Sequence, residues 1–242
     1  MANGDLQIGL WSTLCSNIVA EIIGHSGFEW VLLDTEHTPN ETPGLVSQMQ
    51  ALAGGSASVL VRPAWNDTVM IKRLLDIGVQ TLLIPFVQNA EEAAAAVAAT
   101  RYPPEGIRGV TGSGRAAGYG RVKDYLHTAA DEICVIVQIE TGDALGQLKE
   151  IASVPGVDAV FIGPSDLSAS LGHLGNPSHP EAQAALKSAI EQLNELGKPA
   201  GILAFNHDDA KRYIDWGYRF VAVGSDQSVL AKGTSALAAS FK

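Results

Sequence analysis

Residues 134–145 read CVIVQIETGDAL, and residues 157–170 read VDAVFIGPSDLSAS. In both, an unbroken apolar run closes on polar residues, and only then does a helical pattern begin. An apolar run without polar alternation belongs to a strand buried on both faces, as in a parallel sheet covered by helices. Working outward, the same form recurs in QIGLW (7–11), EWVLLD (29–34), SVLVRP (58–63), QTLLIP (80–85), ICVIVQIE (133–140), AVFIG (159–163), PAGILA (199–204) and RFVAVG (219–224). Helical patterns lie between them, among others at 16–26, 68–77, 89–100 and 179–196. Eight strand–helix units in 242 residues predict an α/β fold, a (β/α)8 TIM barrel formed by residues 1–242 as one domain. A doubly wound sheet is the alternative, but it favours a glycine-rich phosphate turn after its first strand, where this chain has STLCSN.

One segment breaks the rhythm, RYPPEGIRGVTGSGRAAGYGRVKDYL at 101–126. Its length and its Gly and Arg content predict a structured loop over the barrel mouth, with 111–120 at its centre. GSGRAA fits G-x-G-x-x-A in form, but no strand precedes it, so it is not a dinucleotide turn. The net charge of −10 argues against nucleic acid, which requires basic surface to neutralise phosphate. No window approaches 18 consecutive apolar residues, so no membrane span is expected. The N-terminal stretch MANGDLQIGLW lacks a basic flank and a long apolar segment, and the expectation is a cytoplasmic protein without a secretory signal. Cys15 and Cys134, both in apolar contexts, are expected to be packed thiols rather than a disulfide.

In a barrel of this kind, polar residues at the C-terminal strand ends face the site. Here these are Asp34, Glu36 and His37 after strand two, Arg62 after strand three, Gln138 and Glu140 ending strand five, and Asp166 after strand six. Strand ends seven and eight bring mainly small groups, Ala204 and Gly224–Ser225. Arg62 could instead plug the barrel as an ion pair with Glu140 or Asp166, although buried pairs often add little net stability. Two carboxylates without a nearby thiol suit a hard divalent cation, Mg2+ or Mn2+, with coordination positions left for water and substrate. The segment Gly163-Pro164-Ser165-Asp166 adds backbone N–H groups that can hold an anion. Arg62 supplies a fixed cation for a carboxylate or a developing oxyanion. His37 is the candidate for proton transfer, since histidine ordinarily titrates near neutrality. His25, His127, His173, His179 and His207 read as surface or capping residues, and Asp76 in KRLLDIG as a solvated helix-end carboxylate. Trp11 and Phe205 could line the mouth or pack in the core.

The motifs GLW, LLDTEHTPN, VRPAWND, LLDIGVQTLLIPFVQN, RYPPEGIRGV, VQIET, GVDAVFIGPSDLSAS, GNPSHPE and FVAVGSD follow one another over nearly the whole chain. In that order the sequence resembles the metal-dependent (class II) pyruvate aldolases of the aldolase/citrate lyase superfamily, nearest to the 4-hydroxy-2-oxoheptanedioate and 2-dehydro-3-deoxyglucarate aldolases. The resemblance implies a barrel of the phosphoenolpyruvate/pyruvate type. It assigns Glu140 and Asp166 to a divalent metal (Mg2+, Mn2+ or Co2+), His37 to proton acceptance and Asp76 to raising the basicity of His37. Arg62 would stabilise the transition state; Gln138, Gly163 and the Ser165 backbone would hold the 2-oxoacid, with Asp34 and Glu36 around them. It further implies a small-molecule 2-oxoacid and an aldehyde as reactants, and a homo-oligomer, a hexamer built as a trimer of dimers, with the last helix exchanged between neighbours. TGSGRAAGYG differs from the family's bulkier segment at this place. A class I mechanism would want a Schiff-base lysine at a strand end, and these ends carry none. A citrate-lyase-like acyl-CoA lyase and a non-catalytic 2-oxoacid-binding barrel are the competing readings; the first would want a basic groove for CoA phosphates.

Overall fold

The computed structural model describes residues 4–242; residues 1–3, part of the stretch read as lacking a secretory signal, lie outside the described residues. Eight parallel strands close in sequence order: β1 Gln7–Ser12, β2 Trp30–Asp34, β3 Ser58–Arg62, β4 Thr81–Ile84, β5 Cys134–Ile139, β6 Ala159–Ile162, β7 Ala200–Leu203 and β8 Phe220–Ser225, with β8 pairing back onto β1. Helices follow the strands and cover the outside. This is the (β/α)8 TIM barrel the sequence predicts, and the strand bounds differ from the apolar runs by one residue at most ends. Among the described residues no helix is long and apolar enough to cross a membrane.

Strand side chains alternate between the two faces, and here the alternation sorts two cores. Val31, Leu33, Val61, Val135, Val137 and Ile139 point out against the helices. Trp30, Leu32, Leu60, Ile136, Phe161 and Phe220 point in and fill the barrel. Trp30 stacks on Phe220 with centroids 4.0 Å apart. Room for these rings comes from Gly9, where a Cβ would fall 2.0 Å from the Trp30 ring, and from Gly201, where one would meet Phe161 at 2.5 Å. Overpacking at either would cost about 1–3 kcal/mol. The inward set continues to the strand ends: Trp30, Leu32, Asp34 on β2; Leu60, Arg62 on β3; Ile136, Gln138 and then Glu140 on and after β5. The polar ends noticed in the sequence are therefore the top layer of the barrel filling.

One expectation is corrected. Segment 101–126 does not cover the mouth. It connects a helix, Ala90–Thr100, to β5, so it lies at the N-terminal ends of the strands, whereas a mouth is built from loops that follow strands. Arg115 Nη1 donates to the Ile77 carbonyl at 2.6 Å, and buried Arg108 donates to Asp76 at 3.2 Å. Both contacts fix the segment beneath the helix Thr68–Asp76. Cys15 and Cys134 are free thiols, both half-buried.

Candidate functional site

Adjacent parallel strands in register place Asp34 beside Arg62. Arg62 Nε and Nη2 donate to the two Asp34 oxygens, each at 2.8 Å, and Nη1 stands 2.8 Å from Glu36 Oε2. That last contact is an ion pair without good hydrogen-bond angles, since Glu36 Oε2 has no hydrogen-bonded partner. Arg62 is 6% exposed and its guanidinium carbon lies 5.3 Å from the Trp11 ring centre. Burial alone would weaken its hold on the proton, but the hydrogen bond and charge of Asp34, helped by Glu36 and Glu140, raise its pKa further. Two of the five guanidinium N–H groups are hydrogen-bonded, both to Asp34, and Arg62 lines the cavity described below. The plug imagined from sequence is thus absent: Arg62 pairs with Asp34 and Glu36, not with Glu140 or Asp166.

Across the mouth, Glu140 follows β5. Its Oε1 accepts from Gln138 Nε2 at 2.8 Å and its Oε2 from the Phe86 N–H at 2.9 Å. Phe86 has φ +54°, a left-handed conformation uncommon for a bulky residue, and this turn after β4 aims its N–H at the carboxylate. Gly163, after β6, must lack a side chain, because a Cβ there would stand 2.8 Å from Glu140 Cγ and Oε1. Burial raises the Glu140 carboxyl to about 7, with Glu36 and Asp166 adding to the effect and the Phe86 N–H and Arg62 opposing it. Glu36 is likewise raised, by burial first, against the pull of Arg62 and His37. Gln138 Oε1 is buried without a partner.

A cavity of ≈ 340 Å³ opens on Arg62, Gln138 and Gly163. Trp11, His37, Arg62, Gln138, Gly163, Ser165, Asp166 and Phe205 are among the residues lining it. Asp166 and Ser165 sit in the first turn of Pro164–Ser170. His37, with 66% of its side chain exposed, has Nε2 3.7 Å from Glu36 Oε2. Asp76 is not brought here. It ends the helix that runs back from β3, at the opposite end of the barrel, and pairs with Arg108. Two contributors were missed in the sequence. Phe86 acts through its backbone, which no residue pattern marks. Asp226, 5% exposed, accepts from Thr13 N at 2.8 Å, Thr13 Oγ1 at 2.7 Å and Leu14 N at 3.1 Å, fixing the loop beyond Trp11. A carboxylate opening the last helix was visible but reads as an ordinary first-turn acid.

The family model described as HpcH/HpaI aldolase/citrate lyase matches residues 7–233. The chain belongs to the HpcH/HpaI aldolase/citrate lyase family. It is 56% identical over 239 residues to a 4-hydroxy-2-oxo-heptane-1,7-dioate aldolase of Klebsiella pneumoniae, covering 98% of this chain and 90% of that one. It is also 56% identical over 238 residues to a pyruvate aldolase of Rhizobium etli, covering 98% and 94%. Among solved structures, an HpcH/HpaI aldolase/citrate lyase family protein from Burkholderia cenocepacia superposes with a TM-score of 0.95 at 38% identity, covering 99% of this chain and 96% of that one. Within this HpcH/HpaI barrel, Arg62, Gln138, Ser165 and Asp166 therefore sit at strand ends or just beyond them and share one cavity, with Glu140 hydrogen-bonded to Gln138 behind its lining.

Proposed function

We propose that this HpcH/HpaI family member is a class II pyruvate aldolase, cleaving 4-hydroxy-2-oxoacids to pyruvate, or a related 2-oxoacid, and an aldehyde. The observation that carries this reading is the single cavity onto which a buried, oriented arginine, an exposed histidine and oxygen donors open together. Those donors fit a divalent cation. The neighbouring carboxylate of Asp166 raises the cost of ionising Glu36 and Glu140, the buried Gln138 Oε1 is unpartnered, and no thiol is among them. Glu140 and Asp166 would hold Mg2+, Mn2+ or Co2+, which when bound would supply Lewis-acid stabilisation of the developing enolate.

The chain's own groups do the rest. Arg62, fixed by Asp34, directs its free N–H groups at the C2 oxygen as negative charge grows there. Gln138 and the backbone N–H groups at Gly163–Ser165 orient the 2-oxoacid. His37 takes the proton of the 4-hydroxyl as the bond between C3 and C4 breaks. The electron pair of that bond passes to the pyruvyl half, and C3 is then protonated to give pyruvate. His37 has 66% of its side chain exposed, which suits a group that gives its proton up to solvent between turnovers.

Within one subunit Asp76 lies at the far end of the barrel from His37, so its expected influence requires another copy of the chain. Exposed Val229, Leu230 and Leu237 on the last helix, Asp226–Ala239, support such an assembly. A cytoplasmic location accords with this reading. The test is pyruvate release from a 4-hydroxy-2-oxoacid with and without EDTA. Loss on chelation and recovery with Mg2+, Mn2+ or Co2+ is expected. Turnover that needs a CoA ester would favour the acyl-CoA lyase, and 2-oxoacid binding without turnover the non-catalytic barrel.

A further inference from the structure

Away from the cavity, but on the face from which it opens, three potential metal ligands converge. His173 lies in the loop after Pro164–Ser170, His179 is the N-cap of the helix Pro180–Glu195, and Glu181 is in that helix's first turn. Each offers one ligand atom, and these atoms all lie within 4.8 Å of one another. His173 Nε2 is 2.7 Å from Glu181 Oε2, and the two imidazoles stack with centroids 3.4 Å apart. We propose that His173, His179 and Glu181 form a separate binding site for a borderline divalent transition metal of the Zn2+ type, with water completing its coordination.

The backbone holds this arrangement in place. The His173 N–H donates to the Ser168 carbonyl at 2.8 Å, and its carbonyl accepts from Ser168 Oγ at 3.0 Å, with Ser168 fully buried. The Asn176 N–H donates to the His173 carbonyl at 3.0 Å, and the His179 N–H to the Asn176 carbonyl at 3.0 Å. Gly172 and Gly175 supply the positive φ angles, +88° and +74°, that let the loop double back. The backbone alone therefore brings the two imidazoles together, and a turn of one ring out of the stack lets both in-plane lone pairs face one ion.

The donor set selects the ion. Two imidazoles and one carboxylate match zinc, copper or nickel, whereas Mg2+ wants oxygen alone. Tetrahedral bonds of about 2.0–2.1 Å put ligand atoms roughly 3.3 Å apart. The His173–Glu181 separation must therefore widen from 2.7 Å, a small swing for a carboxylate whose side chain is 60% exposed. Ligation exchanges the 2.7 Å His173–Glu181 hydrogen bond, the ring stack and the weaker bond in which His179 Nδ1 accepts from the Glu181 N–H at 3.3 Å for bonds to the ion. Through Ser168, the ion would brace the short helix that carries Asp166.

Cu2+ serves as the probe, because electron paramagnetic resonance shows coupling to imidazole nitrogen that an all-carboxylate site does not produce. The whole protein, loaded with one equivalent of Cu2+, should show coupling to two nitrogens, absent in His173→Gln and in His179→Asn. Asparagine remains a good N-cap, so the second variant keeps its helix start. Equilibrium dialysis should find each variant binding one Zn2+ fewer per subunit than the wild type. In the unaltered protein, Zn2+ should protect His173 and His179 from diethylpyrocarbonate, read by mass spectrometry. Equal Zn2+ counts in variants and wild type, nitrogen coupling that survives both substitutions, or unprotected histidines would overturn the proposal.

Discussion

Arg62 grips Asp34 by two hydrogen bonds of 2.8 Å, one to each carboxylate oxygen, across neighbouring strand ends in register. A two-point contact fixes the plane of the guanidinium as well as its position. Arg62→Ala should lower kcat for aldol cleavage by roughly 10²-fold, the scale of a lost oxyanion donor. It should also destabilise the fold by about 3–5 kcal/mol, since Asp34 is left buried and unpaired. Arg62→Lys keeps the charge but not the two-point contact, so it should retain more stability than activity. Urea denaturation with steady-state kinetics separates the two effects; a kcat unchanged in either variant would remove Arg62 from the chemistry.

Glu140 gives a pH dependence whose direction is fixed by its environment. Its pKa rises from 4.5 to about 7 in the metal-free fold. The folded state thus binds the proton more tightly than the unfolded chain. Stability from this group is complete below pH 4.5 and is lost as pH climbs through 7, by on the order of 3 kcal/mol. In EDTA the protein should be less stable at pH 8 than the other titrating groups alone dictate. Glu140→Gln should flatten this part of the curve. Divalent-metal affinity, which needs the carboxylate, should rise over the same interval. Thermal melts across pH in both proteins give the answer, and identical curves would remove Glu140 as the cause.

Gly163 is required by contact rather than by backbone angle. Gly163→Ala places a Cβ 2.8 Å from Glu140 Cγ and Oε1, so the carboxylate must turn away from Gln138 and the Phe86 N–H. Metal affinity should drop at least tenfold, equivalent to the loss of about one charge-assisted hydrogen bond, while the barrel stays folded. Calorimetric titration with Mn2+ reads this directly. Unaltered affinity would show that Glu140 is not a ligand.

His37 and Asp76 make a paired prediction. His37→Ala should damage aldol cleavage strongly and oxaloacetate decarboxylation much less, because decarboxylation removes no hydroxyl proton. An equal fall in both would assign His37 a supporting role instead. If Asp76 acts on His37 from another copy, mixing His37→Ala with Asp76→Ala subunits should regain activity that neither variant has alone. No gain after verified subunit exchange would break that link.

The sequence by itself determined the eight strands and their order, because a strand covered on both sides must be apolar throughout. It also determined which polar residues end three of those strands: Asp34, Arg62, and the pair Gln138 and Glu140. Both properties are local, carried by burial and a period of two. Tertiary structure alone decided who meets whom. Arg62 chose Asp34 and Glu36 over Glu140 because closure and register put β2 beside β3, an angular relation around the barrel that no linear pattern contains. Segment 101–126 went to the far end of the barrel because it follows a helix, although its glycines and arginines resemble those of a mouth loop. Phe86 entered the site through its N–H, which is the same in every non-proline residue, and Asp226 through contacts more than 200 positions away along the chain. His173 and His179, six residues apart, became neighbours only because two glycine turns and Ser168 folded the loop between them. Strand identity follows from what each residue must be shielded from; a site follows from distances between residues that closure of the barrel alone can set.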